Sequence, residues 1–251
     1  MTLDELFAEL SQRGVKLWVD GERLGIRAPK GVLTTELRDS LAERKAEILA
    51  FLQQANAATN TQLPPLLPVT RDGNLPLSLA QERLWFLEKL TPGTSVYNLV
   101  LAFRLTGSLN QTAMEQSLRE IVRRQEILRT SFQAVDGQPI PIISPESSLR
   151  LPVIDLRELP TSERDAQARQ LANEEAQQPF DLAQEPLWRV KLLCLAEEEH
   201  LFVLTLHHII SDGWSFSVFL RELTELYKAF AVGEPSPLPE LPIQYADFAS
   251  W

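Results

Sequence analysis

Long apolar runs are what this sequence most lacks, followed by cysteine, histidine and net positive charge. No apolar stretch approaches the roughly 18–20 residues that a membrane span requires. The opening MTLDELFAEL has neither the basic start nor the apolar block of a secretion signal. The one cysteine, Cys194, cannot close an intramolecular disulfide, and its flanks VKLLCLAE mark a buried strand residue rather than a nucleophile. A reducing, cytoplasmic setting fits these absences. With 24 Lys and Arg against 34 Asp and Glu the formal net charge is -10, which argues against a nucleic-acid surface, where clustered cations must replace counterions along the phosphates.

What is present reads as globular: 251 residues, 44% of them hydrophobic, suffice for one large domain or two unequal ones. Thr2 with Glu5 forms a capping box, Leu3, Leu6, Phe7 and Leu10 repeat at helical spacing, and Gly14 closes that helix. Val15, Leu17 and Val19 then alternate with Lys16 and Trp18, Asp20-Gly21 turns the chain, and Leu24 and Ile26 alternate again, which predicts a hairpin. Ser40 with Glu43 reads as a second capping box, ahead of an apolar face of Leu41, Ile48, Leu49 and Leu52. Helix, hairpin and helices over residues 1–54 predict a small domain near the lower size limit, one that gains stability by pairing with itself or a partner. Residues 55–74, ANAATNTQLPPLLPVTRDGN, lose periodicity and collect Asn, Thr and Pro, as a linker does. From 75 to 251 helical and strand patterns alternate, and the expected class is α/β.

The stretch LTLHHIISDGW (204–214) sets two histidines side by side on an apolar run. A zinc site needs three or four converging ligands, and the chain has three histidines, His200, His207 and His208, with its cysteine on another strand. On an extended strand neighbouring side chains point to opposite faces, so His207 and His208 cannot both line one pocket. A bare histidine pair reads equally well as two buried, hydrogen-bonded strand residues. The continuation Ser211, Asp212, Gly213 turns the chain and returns a carboxylate toward the strand. Imidazole takes or relays a proton near neutral pH once its tautomer is held. Asp212 has two readings: it orients a ring directly, or it pairs with a buried arginine and holds the turn. Gly213 lets a substrate pass close to the backbone.

At these residues His207-His208-x-x-x-Asp212-Gly213 resembles the HHxxxDG signature of the chloramphenicol acetyltransferase-like superfamily, which includes the condensation domains of nonribosomal peptide synthetases. Three more segments stand in the order those domains have them: SLAQERLWFL (78–87), RRQEILRTSF (123–132) and YADFASW (245–251). Gln125 stands where the second of these segments commonly has His. Residues 1–54, above all GVKLWVDGERLGIRAPKGVLT, resemble the N-terminal docking domains of the tubulysin-synthetase type. By the resemblance to condensation domains, the serine of HHIISDGWS implies an L-configured donor.

The resemblance implies a docking domain followed by the first of two lobes of a condensation domain, the second lobe lying beyond Trp251, so that this chain alone does not catalyse. It implies that a downstream aminoacyl amine attacks an upstream acyl thioester, both held on phosphopantetheine arms of carrier domains, with no cofactor or metal bound directly. His208 then takes the amine's proton or holds the amine, Gly213 lines the tunnel, Asp212 pairs with Arg129, and His207 supports the strand. In the docking domain Lys16, Arg23, Arg27 and Lys30 outnumber Asp20 and Glu22, and Trp18 is either an exposed anchor or core. These cations read either as an ordinary solvated face or as the receptor for an acidic C-terminal peptide of an upstream synthetase subunit, added as a strand at the hairpin edge. Alternatives of other classes are a pure interaction or homodimerisation unit and another HHxxxDG acyltransferase.

Overall fold

A computed structural model of the chain describes residues 6, 10, 15–20, 23–29, 32, 34–50, 64–71, 75–145, 149–184 and 186–251. It divides into two compact units, Met1–Pro65 and Leu66–Trp251.

In the first unit β1 (Lys16–Asp20) and β2 (Arg23–Arg27) form the expected antiparallel hairpin, with Leu17 opposite Ile26 and Trp18 opposite Gly25. Leu17 and Leu24 pack against a core of Leu6, Leu10, Val15, Leu37, Leu41 and Ile48. Helix α1 spans Thr35–Glu43 and runs through Ser40. The helix start therefore lies six positions earlier than the Ser40/Glu43 pattern implied, since Thr34 Oγ1 accepts the Leu37 N–H at 3.3 Å. A hydroxyl caps a helix only where its own residue has a non-helical backbone, and Ser40 already lies within the helix. The Thr2/Glu5 box and Gly14 lie outside the described residues.

The second unit is built on a sheet of order β3-β8-β7-β6. β8 (Glu199–His207) runs antiparallel to both of its neighbours, β3 (Asn98–Thr106) and β7 (Trp188–Ala196), and β6 (Val153–Asp155) joins β7 in parallel. The two faces of β7 bury different things. Trp188, Val190 and Leu192 share the main core with Phe202, Leu204 and Leu206 of β8 and with helices α3 (Gln111–Arg124) and α5 (Gly213–Ala231). Leu193 and Leu195 face a smaller core with Leu156 and Ala168 of α4 (Thr161–Gln177). A strand covered on both faces needs apolar residues at nearly every position, hence the run WRVKLLCLA, and Cys194 is buried in it.

Between Pro76 and the sheet, α2 (Leu79–Leu90) starts at a capping box of Ser78 and Gln81. A hairpin of β4 (Thr130–Val135) and β5 (Gln138–Ile143) follows α3 and a 3-10 turn, Glu126–Arg129; its turn has Asp136 and Gly137 at positive φ. The chain closes with α6 (Tyr245–Ser250). Residues 66–71 belong to this unit: the Val69 N–H donates to Asp247 of α6 at 2.8 Å, and Arg71 pairs with Asp247 and Glu126.

Candidate active site

β8 ends at His207, and the next peptide turns away from the sheet after the His208 N–H donates to the Tyr97 carbonyl at 2.8 Å. The two histidines part company there. His207 is 1% exposed, its Nδ1 accepts the Ile209 N–H at 3.1 Å, and its ring meets Tyr97 and Phe180 edge-on. Burial, with a smaller contribution from the neighbouring His208, pushes its pKa down to about 4, so it is neutral at physiological pH. Its Nε2 has no hydrogen-bond partner.

His208 is exposed and lines a cavity of about 620 Å³, together with Leu206 two positions before it. His207 is not among the lining residues, as the two-residue strand period implies. His208 Nδ1 lies 2.8 Å from the Ser211 carbonyl oxygen. A carbonyl oxygen only accepts, so Nδ1 carries the proton and Nε2 of the neutral ring keeps its lone pair. Ser211 is held in turn by the 207–211 turn, where the Ile210 N–H donates to the His207 carbonyl at 3.1 Å. The cavity walls are mostly apolar, with Leu84, Ile121, Phe216, Phe219 and Ile243 prominent, and Gln125 and Glu222 are polar exceptions.

Asp212 caps α5. Its Oδ1 accepts the Ser215 N–H at 2.9 Å and the Ser215 hydroxyl at 2.7 Å, while the Ser215 hydroxyl accepts the Asp212 N–H at 3.1 Å. The Ser215 side chain, then the backbone N–H groups of the helix start, hold its carboxyl below the usual range. The expected Asp212–Arg129 pair is not formed: Arg129 donates to the Ser144 carbonyl at the end of the β4–β5 hairpin. Asp212 finds its partners in its own helix, and as an exposed group it needs no buried counter-ion. The buried arginine of RRQEILRTSF is Arg124, which stands 3.6 Å from Glu222 of α5 and donates to the Pro239 carbonyl at 2.8 Å. Glu222 shares the buried helix face of Phe219, Leu223 and Leu226, and a carboxylate in such a stripe is the sequence signal that a cation lies opposite. Gln125, the departure from the common histidine, donates to Glu222 at 3.3 Å.

Gly213 begins α5. A Cβ there would meet nothing within 4 Å and its φ is not positive, so no packing within this unit demands glycine, and it does not line the cavity. Among the described residues no group of three or more His, Cys, Asp or Glu is placed to hold a metal, and no helix is long and apolar enough to cross a membrane.

In the first unit the hairpin register puts positions 16, 18, 23 and 27 on one face, opposite the face from which Leu17 and Leu24 reach the core. Arg27 is exposed. The side chains of Lys16, Trp18 and Arg23, and the whole of Lys30, lie outside the described residues.

The chain is similar to known families and solved structures. Residues 71–251 match the condensation-domain model. The chain belongs to the condensation-domain family. Residues 3–54 match the TubC N-terminal docking domain. Linear gramicidin synthase from Brevibacillus parabrevis is similar in more than one of its polypeptides. One is 48% identical over 203 residues, covering 81% of this chain and 3% of that protein. Another is 50% identical over 186 residues, covering 74% of this chain and 4% of that protein. This condensation-family chain thus spans a small part of the synthetases it matches. Among solved structures, the cyclization-docking bidomain of EpoB from Sorangium cellulosum aligns with TM-score 0.67 and 27% identity, over 98% of this chain and 47% of that one. The X-domain from teicoplanin biosynthesis aligns with TM-score 0.66 and 36% identity, over 75% of this chain and 40% of that one. The fold is the mixed α/β, chloramphenicol acetyltransferase-like one that the motifs implied.

Proposed function

We propose that this chain is the docking unit and HHxxxDG lobe of an amide-forming condensation enzyme in a nonribosomal peptide synthetase. The observation that carries the reading is the His208–Ser211 hydrogen bond, which assigns the proton of the neutral ring to Nδ1 and leaves Nε2 as the nitrogen that can accept one, on a side chain lining the cavity. The substrates are thioesters on phosphopantetheine arms of carrier domains. The amine nitrogen of the downstream aminoacyl group attacks the upstream thioester carbonyl and forms the C–N bond. His208 Nε2 takes the proton the nitrogen sheds, the C–S bond breaks, and the departing thiolate recovers a proton. Because the thioester is already activated, holding the amine in line is as much of the task as proton transfer. Asp212 and Ser215 hold the start of α5, and His207, neutral and buried, supports the end of β8.

The first unit, in the same reading, receives the C-terminal peptide of an upstream synthetase protein at the β1–β2 edge, by strand addition. Arg27, with Lys16 opposite it in the hairpin register and Arg23 and Lys30 near it in sequence, favours an acidic peptide over a neutral one. Two measurements test the halves separately. In the whole synthetase protein supplied with loaded carriers, His208→Ala lowers single-turnover condensation at least 100-fold, the low end of what a positioned base contributes; unchanged turnover refutes the assignment. Titration calorimetry of the 251-residue chain with acidic C-terminal peptides shows saturable binding that weakens with salt and is lost in Arg23→Glu/Arg27→Glu. Salt-independent binding removes the charge argument.

A further inference from the structure

Hydrogen bonds, joined through the backbone at the start of α6, lead from the segment entering the second unit to the turn that carries His208. Arg71 donates from Nη1 to Asp247 Oδ1 at 2.7 Å and from Nε to Glu126 at 3.0 Å, and the Val69 N–H donates to the same Asp247 oxygen at 2.8 Å. Asp247, 1% exposed, accepts the Gln244 N–H on its other oxygen at 2.6 Å and so fixes the first turn of α6. Two branches leave that turn. Gln244 accepts the Glu126 N–H at 3.1 Å and donates to the Arg124 carbonyl at 2.8 Å, so it holds both chain neighbours of Gln125 in the cavity wall. The Tyr245 hydroxyl lies 2.9 Å from Ser78 Oγ. Ser78 and the buried Gln81 close the capping box of α2, and Gln81 Nε2 donates to the carbonyl of Ile209, the residue after His208, at 3.4 Å.

We propose that Arg71 is a positioning residue for His208, acting through Asp247, Tyr245, Ser78 and Gln81. This rests on the reading of His208 as the functional imidazole, but its geometry and its test do not depend on turnover. Buried polar networks of this kind hold one arrangement while every member is satisfied and rearrange when a member is lost. Removing the Arg71 guanidinium leaves the Asp247 carboxylate buried beside Val69 and Gln244 without a cation. The carboxylate must then tilt toward water or take a proton, and either releases the α6 turn that sets Tyr245. The linker end is thereby part of the catalytic lobe's frame and not a passive tether.

The test is nitrogen-detected NMR of the 251-residue chain labelled at histidine, which has three such residues to assign. Arg71→Met and Tyr245→Phe are expected to shift the His208 ring nitrogens and to speed exchange of its Nδ1 proton, while the His200 resonances keep their native positions and certify the fold. Arg71→Lys, which restores a cation beside Asp247, returns His208 most of the way. Tyr245→Phe removes one oxygen and decides the matter if Arg71→Met does not fold. A folded Arg71→Met or Tyr245→Phe chain with wild-type His208 signals overturns the proposal. Shifted His208 signals in a variant whose parent enzyme keeps full turnover would support the positioning network and count against the functional reading alone.

Discussion

At the scale of single residues, the adjacent histidines differ because a strand ends between them. His207 remains in the sheet and is buried; His208 is in the turn, and the Ser211 carbonyl selects its tautomer. For His207 the consequence is a pH dependence of stability with a definite sign. Its folded pKa of about 4 lies below the ordinary value of 6.5, so between the two the unfolded chain binds the extra proton. Stability is full above pH 6.5, falls as pH drops toward 4, and the loss between pH 7 and 5 is about 2 kcal/mol. His200, whose pKa burial also lowers, adds in the same direction. Urea melts at pH 7 and 5 check this: His207→Asn, which keeps an acceptor for the Ile209 N–H but does not titrate, should shrink the difference, and an unchanged difference would assign it elsewhere. Asp212→Ala removes a helix cap and should cost about 1 kcal/mol, whereas His208→Ala should leave the melt where it is. Equal destabilisation by both would contradict their separate roles. That the histidines part to opposite faces was legible from the strand period. The partner of Asp212 was not, because a carboxylate before a glycine suits both a cap and an ion pair; Ser215, three positions on, was the deciding residue.

At the scale of elements, helix α4 is joined to the sheet by charge as well as by a narrow apolar contact through Ala168 and Leu171. Its buried residues include Ala168 and Glu175. Glu175 has a side chain with no exposure, Lys191 Nζ stands 2.6 Å from Oε2, and Arg189 bonds the other oxygen. Burial alone would push the Glu175 carboxyl up; Lys191 and Arg189 outweigh it and hold it below the usual range. Arg189 also donates to the Gln178 carbonyl at 2.6 Å and covers the Phe180 ring, and Asn98 of β3 donates to the Ala176 carbonyl at 2.8 Å, so the open C-terminal carbonyls of α4 are met by neighbouring strands. Glu175→Gln should therefore cost about 3 kcal/mol, toward the lower end for a broken buried pair because both cations keep some contact with water. A denaturant midpoint within error of wild type would show that the apolar contacts of α4 suffice. This arrangement explains why α4 left little trace in the periodicity, whereas α5, β7 and β8, which bury Leu, Val and Phe at regular spacing, were plain. RRQEILRTSF continues the helical spacing of the preceding TAMEQSLREIV, yet α3 stops at Arg124 and Thr130 begins a strand. The apolar residues Ile127 and Leu128 satisfy both periods, and the Asp136-Gly137 turn, the same signal that marked Asp20-Gly21, identifies the hairpin.

At the scale of the whole molecule, the chain holds separate cores of very different size. The first unit buries Leu6, Leu10, Val15, Leu37, Leu41 and Ile48, six aliphatic residues among the described ones, with Leu17, Leu24, Ala28 and Val32 packed beside them. The second has more than twenty buried hydrophobic residues in its main cluster alone, including Phe132, Trp188, Phe202 and Phe219. Each buried aliphatic side chain contributes about 1.5–3 kcal/mol, and this must offset the ordering of every residue around it, so a unit of 65 residues, with a small interior for its surface, has a narrow margin. Such a unit is near the lower size limit for independent folding. Cooperative unfolding follows shared cores, and these cores share no residue. Scanning calorimetry of the chain is therefore expected to show two transitions, the smaller at lower temperature with an enthalpy in proportion to its length. A saturating acidic C-terminal peptide, binding only the folded hairpin, should raise the lower transition and leave the upper one in place. His208→Ala should move neither, and Glu175→Gln should lower the upper one alone. One transition that the peptide shifts as a whole would mean that the two units unfold as one, and the independence of their cores would be refuted.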